Sequence, residues 1–245
     1  MKSAFITGAN KGVGLGTARL LAKRGIFVYI GCRSLEKGLD AVDKLKAEGI
    51  EHVEAIQIDV TDEESVKAAR LEIGKRIDVL DILINNAGIS GIRPQTATGV
   101  SIETTKEVFE TNLYGVMRVT QAFMDLLQKS TEPRIVNVSS GGCSLTLSSD
   151  PNSQFYHHKG AAYSPSKAAL NMYTIVLAYE LRDTSFKLNA VCPGFAKTDF
   201  TNHQGKLTID EAGLRIAKYA LIGNDGPTGK FFSEEYNPET GISPW

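Results

Sequence analysis

The sequence predicts a single-domain, doubly wound α/β fold: a mostly parallel sheet with helices on both faces. Three observations lead there. Short apolar runs alternate strictly with segments of helical period along the chain. The first run leads through a glycine-rich turn, Gly8-Ala9-Asn10-Lys11-Gly12-Val13-Gly14, straight into a helical pattern. No linker, repeat or low-complexity stretch divides the 245 residues, so residues 1–245 read as one domain.

Each element has its own reason. Ser3 to Thr7 is a short, mostly apolar strand of the kind buried on both faces. Its glycine turn lets the backbone approach a pyrophosphate, and the helix from Leu15 to Lys23 offers free N–H groups and a favourable dipole. The spacing, Gly-x-x-x-Gly-x-Gly, differs from the commoner dinucleotide fingerprint. Phe27 to Ile30 is strand two, Leu35 to Glu48 a helix, and His52 to Ile58 strand three. Thr61-Asp62-Glu63-Glu64 predicts a capping box opening the next helix. Val79 to Ile84 is strand four, and Ser101 to Leu127 is helical with at least one interruption. Arg134 to Val138 is strand five. A helix opens near Tyr163 and runs to Arg182, with Pro165 tolerable because it falls in the first turn. Phe186 to Val191 is strand six, Thr208 to Ala220 a helix with Thr208 and Glu211 as its capping box, and Gly229 to Phe232 the last strand.

Composition narrows the function. Hydrophobic residues at 42% and charged residues at 22% fit a folded globular domain. A net charge of −1 with scattered basic residues offers nothing to nucleic acid or an acidic membrane. Three cysteines make no disulfide framework, which points to a reducing compartment. Strand-like sequence from residue 2 leaves no room for a signal peptide, and no apolar run is long enough to span a bilayer. The expected location is cytoplasmic.

The chemistry centres on Ala162-Tyr163-Ser164-Pro165-Ser166-Lys167. Four residues apart, Tyr163 and Lys167 share one helical face. A phenol beside an ammonium is a tunable proton donor, and the cation is expected to lower the phenol pKa. Alone the pair is a weak signal. It gains weight from what stands in order around it: Thr7-Gly8-x-x-x-Gly12-x-Gly14, Asp59-Val60, Asn85-Asn86-Ala87-Gly88, Asn112, Val138-Ser139-Ser140 and Pro193-Gly194-x-x-x-Thr198.

This series resembles the short-chain dehydrogenase/reductase family over about residues 2 to 232, closest to its NADPH-dependent carbonyl reductases. The resemblance implies that Tyr163 is the acid/base and Lys167 its partner, also bound to the nicotinamide ribose. It implies that Ser140, rather than Ser139, meets the substrate carbonyl and that Asn112 anchors a water chain behind Lys167. Gly8, Asn10, Lys11, Gly12, Val13 and Gly14 would hold the pyrophosphate. Asp59 and Val60 would meet the adenine, Asn86, Ala87 and Gly88 its ribose, and Pro193, Gly194 and Thr198 the nicotinamide. Strand two ends Gly31-Cys32-Arg33-Ser34 without an acid, and Lys11 adds a second cation, so the cofactor is expected to be NADPH/NADP+.

The expected activity is NADPH-dependent reduction of a ketone or aldehyde, a small-molecule carbonyl. The alternatives are an NADP-dependent alcohol dehydrogenase working oxidatively on a steroid, terpenoid or sugar-like alcohol, and a non-catalytic NADPH-sensing protein. Ser140 and Tyr163 are separated by 23 positions, a polar insertion at about 143–160 that reads as an irregular solvated loop. Related carbonyl reductases carry such an insertion against the helices of the family's subunit contact, so a monomer is expected here. With the loop at about 195–207, it should wall the substrate pocket. His157-His158-Lys159 has no acid or Cys cluster to make it a metal site. Cys143 reads as a filler near the site. Trp245 either covers substrate or docks the tail.

Overall fold

The computed structural model describes residues 1–245. Its strands are β1 (Ser3–Thr7), β2 (Phe27–Cys32), β3 (Val53–Gln57), β4 (Ile82–Asn85), β5 (Arg134–Val138), β6 (Lys187–Cys192), β7 (Phe231–Ser233) and β8 (Ile242–Ser243). They form one sheet in the order β3-β2-β1-β4-β5-β6-β7-β8. Every pairing is parallel except that of β8 with β7. All residues of β1, β4 and β5 are buried, so both faces of the sheet need cover.

The helices supply it in two layers. Along β1, Ala4 and Ile6 point into one core with α1 (Gly12–Ala22), α2 (Leu35–Ala47) and α8 (Ile209–Ala220). Phe5 points into the other, with α3 (Glu63–Gly74), α5 (Gly115–Leu127) and α7 (Tyr163–Glu180). There its ring lies 4.7 Å from that of Phe123. On the first face, α1 and α8 pack so closely that a Cβ at Gly213 would fall 2.6 Å from the Gly16 carbonyl carbon. The strand order reverses between β1 and β4, which opens a crevice at the carboxyl ends of the strands, the place such sheets bind ligands.

Four details refine or correct the expectation. The cap of α3 is Asp62, whose carboxylate accepts from Glu64 N at 3.0 Å, and Thr61 instead donates to Asp59. The interruption after α4 (Ile102–Phe109) is a π-helical turn, Glu110–Tyr114, that runs directly into α5. The polar insertion is not simply a solvated loop. It holds a 3-10 turn at Gly141–Cys143 and a short helix α6 (Leu145–Ser149), and it buries Leu147 and Phe155. It also lies elsewhere than expected: Thr146 N donates to the Trp245 carbonyl and Gln154 to the Glu235 carbonyl. Met172, Val176 and Tyr179 on α7 stay exposed.

Candidate active site

The crevice is lined first by the glycine turn. Gly8 and Gly12 have φ of +65° and +60°, and a Cβ at Gly14 would meet the Asn86 side chain at 2.5 Å. The start of α1 has no side-chain cap, and the amides of Gly12, Val13 and Gly14 donate to no protein acceptor. Free amides at a helix start make an anion cradle, so these residues fit a pyrophosphate. The two turns at the crevice floor are braced together. Asn86 Nδ2 donates to the carbonyls of Thr7 (2.8 Å) and Gly8 (3.0 Å), and Thr7 Oγ1 accepts from Asn86 N and Ala87 N, both at 3.0 Å. The Asn86 amide is thus committed to holding Gly8 against Ala87.

Asp59 closes a tight turn, accepting from Thr61 N at 2.9 Å, while Val60 is buried against Gly115. Arg33 is exposed and makes no ion pair, and Ser34 beside it caps α2. Lys11 is engaged. Its ammonium is 2.7 Å from Asp199, in the 3-10 turn Asp199–Thr201, and His203 lies 3.0 Å from the same carboxylate. The loop at 195–207 therefore reaches across to the glycine turn. Thr198 also lies beside Gly12, which a Cβ would bring within 3.5 Å of it. Pro193 and Gly194 follow β6, and Gly194 at φ +84° turns the chain into that loop.

The proton-handling residues meet at the ends of β5 and α7. Asn112, fully buried on the π-helical turn, grips Ile89 by both main-chain groups (2.9 and 3.0 Å) and donates to Ser166 Oγ at 3.0 Å. Its Oδ1 and Lys167 Nζ both lie beside Gly88. The adjacent serines divide. Ser139 is buried and donates to Asn171 on α7 at 2.6 Å, whereas Ser140 is left to the site. The Tyr163 ring packs 5.7 Å from Phe200, and its phenol lies among Ser140, Cys143 and Cys192.

Here the electrostatics reverse the expectation from spacing. Burial pushes the Tyr163 phenol well above its ordinary range, with Cys143 and Cys192 adding to the rise and Ser140 and Arg93 opposing it. The Lys167 ammonium is turned towards β5. It donates to the Val138 carbonyl at 2.7 Å, and burial lowers it to about 8. In the protein alone Tyr163 is a neutral phenol, the form that can give a proton. Cys143 is buried and pushed up to about 11, a thiol with no nucleophilic character.

Residues 2–207 match the family described as short chain dehydrogenase. The chain belongs to that family. It is 35% identical to a (+)-neomenthol dehydrogenase of Capsicum annuum, over 94% of each chain. The solved salutaridine reductase of Papaver somniferum superimposes with a TM-score of 0.83 at 32% identity, covering 95% of this chain and all of that one. An NADPH-bound carbonyl reductase from chicken fatty liver gives 0.85 at 29% identity, over 100% and 99%. This short-chain dehydrogenase is accordingly an oxidoreductase of the alcohol/ketone type that uses a nicotinamide cofactor and a small-molecule substrate. None of its helices is long and apolar enough to cross a membrane.

Sequence reasoning missed two contributors and left the role of Trp245 open. Phe200 sits in a loop without pattern. Gln95 hydrogen-bonds to the Tyr163 amide from 68 positions away. Trp245 stacks on Phe231 with centroids 5.7 Å apart, which identifies it as the anchor of the tail.

Proposed function

We propose that this chain, acting as one NADP(H)-binding unit, reduces a ketone or aldehyde carbonyl with NADPH and that Tyr163 is the proton donor. The observation that carries this reading is a buried, neutral phenol set beside the hydroxyl of Ser140 just after β5. When bound, the dihydronicotinamide supplies the hydride. Ser140 donates to the carbonyl oxygen and stabilises the negative charge that builds there. Tyr163 then gives its proton to the nascent alkoxide. Lys167 and the amides of Gly12, Val13 and Gly14 hold the cofactor, with Pro193, Gly194 and Thr198 bordering its reactive end.

Arg33 and Lys11, with no acid at the end of β2, favour a 2′-phosphate. The relative bound to NADPH is in accord with this. Oxidation of an alcohol would begin from a phenolate. Reduction begins from the phenol, and the same Tyr163 would serve both directions. Phe155, packed on Gly141, and Phe200, packed on Tyr163, support reading the segments 143–160 and 195–207 as pocket walls. Following NADPH absorbance across a panel of ketones and aldehydes tests the proposal. Consumption that depends on the carbonyl supports it, and no consumption with any member contradicts it.

A further inference from the structure

Helix α7 has no cap of its own. Ala162, the residue before it, has no side chain that accepts a hydrogen bond, yet the opening amides of a helix need acceptors. They are met from outside the helix. Gln95 Oε1 accepts from Tyr163 N at 3.1 Å and from Ala162 N at 3.3 Å, and the Gln95 main-chain carbonyl accepts from Ala161 N at 3.1 Å. The other end of the carboxamide is fixed too. Its Nε2 donates to the carbonyls of Ser90 at 2.6 Å and Ile92 at 3.3 Å. Two carbonyls on one side and two amides on the other force this orientation of the amide group. A Cβ at Gly160 would fall 2.6 Å from Oε1, so the chain passes close to the carboxamide.

These bonds close a ring. Asn112 holds Ile89, the chain continues to Ser90, Ser90 accepts from Gln95, and Gln95 accepts from the Tyr163 amide. On the return side, Asn112 donates to Ser166 Oγ, which donates to the Tyr163 carbonyl at 2.7 Å. Both main-chain groups of Tyr163 are thus tied to the segment after β4, one thread running through Gln95 and the other through Ser166.

We propose that Gln95 is a positioning residue for Tyr163: its carboxamide stands in for the missing helix cap and fixes the backbone that carries the phenol. This rests on Tyr163 as the proton donor. The amide, with a donor and an acceptor on one planar group, suits the place better than an acid. A carboxylate accepts from both amides but cannot donate to Ser90, and its charge beside Tyr163 opposes phenolate. A protonated Glu, with one O–H and one C=O, keeps the bond to Ser90 and both accepted amides and loses only the longer bond to Ile92. Gln95→Glu therefore becomes a titratable version of the clamp.

The experiment measures kcat, ketone KM and NADPH affinity for the parent, Gln95→Ala and Gln95→Glu, and amide hydrogen exchange for the parent. Gln95→Ala is expected to lower kcat by about 10- to 100-fold, the effect of a small displacement of a reacting group, with NADPH Kd within about twofold. Gln95→Glu, mostly ionised above about pH 5, should fall below the parent across the neutral range and recover towards it only as the pH drops to about 4, beyond the parent's own profile. The proposal is overturned if Gln95→Ala keeps kcat within about twofold, or if kcat and NADPH affinity fall together, as loss of general support would give. A pH-independent loss in Gln95→Glu also counts against it. Hydrogen exchange needs neither turnover nor a variant. Protected Ala162 and Tyr163 amides are expected, and exchange as fast as in exposed loops overturns the clamp even if the protein reduces no carbonyl offered. A parent inactive on every carbonyl with those amides protected refutes the proton-donor reading, and with it the positioning role, leaving only the capping bonds.

Discussion

Replacing Lys167 with methionine tests whether the site buries a cation as its geometry implies. Lys167 is 4% exposed, and its one protein acceptor is the Val138 carbonyl. Lost hydration lowers its pKa from 10.5 to about 8. Between those values the folded chain binds fewer protons than the unfolded chain, so stability rises with pH across that window. Below it both states are protonated and the folded state carries the whole burden, about 3 kcal/mol for a shift of this size. Met fills similar space without charge but leaves the Val138 carbonyl unpaired, which costs about 1–3 kcal/mol. Near pH 7 the two effects almost cancel and the proteins should be nearly equal in stability. By about pH 9.5 the parent should have gained about 2 kcal/mol on the variant, because most of its titration is complete. Urea unfolding of both cofactor-free proteins at the two pH values measures this difference directly. A gap that does not change with pH would show that Lys167 titrates as an ordinary surface lysine. Turnover should be lost in the variant at either pH.

Other perturbations follow from neighbouring contacts. Arg33→Asp should shift kcat/KM from NADPH towards NADH by about 10- to 100-fold, the loss of one charge-assisted bond plus repulsion. A parent that already prefers NADH contradicts the reading of β2. Asp199→Ala releases Lys11 and should tighten NADPH about two- to fivefold at low salt, an advantage that high salt removes. An unchanged Kd in fluorescence titration would mean that Lys11 is no phosphate ligand. Gly16→Ala should lower stability by about 1–3 kcal/mol through overpacking of α1 on α8, and a neutral result in urea unfolding would dispute that contact.

The fold was legible because its signals are local. Apolar runs mark β1 and β5 at their observed limits, and Thr208 with Glu211 forms the capping box their spacing promises. The stretch from Ser101 to Leu127 shows an interruption, but letters alone neither place it nor distinguish a π-helical turn from an end, since the helical pattern continues on both sides. Polar composition hid how Leu147 and Phe155 fasten the insertion to the body of the protein. β8 is too short to show any period. The candidate site was legible as a set of residues and not as an electrostatic arrangement. A spacing of four puts Tyr163 and Lys167 on one face, but it does not say that the ammonium turns to Val138. Gln95 left no local signal at all, because a cap supplied from a distant loop obeys no spacing rule.

Tyr163→Phe tests the central claim most directly. The substitution keeps the ring against Phe200 and removes only the hydroxyl, so NADPH binding should survive within about twofold while carbonyl reduction falls by about 10²-fold or more. Measured side by side with the parent, retained NADPH affinity with abolished turnover is the predicted result. Reduction by Tyr163→Phe at a rate comparable to the parent's would contradict the assignment of Tyr163 as proton donor.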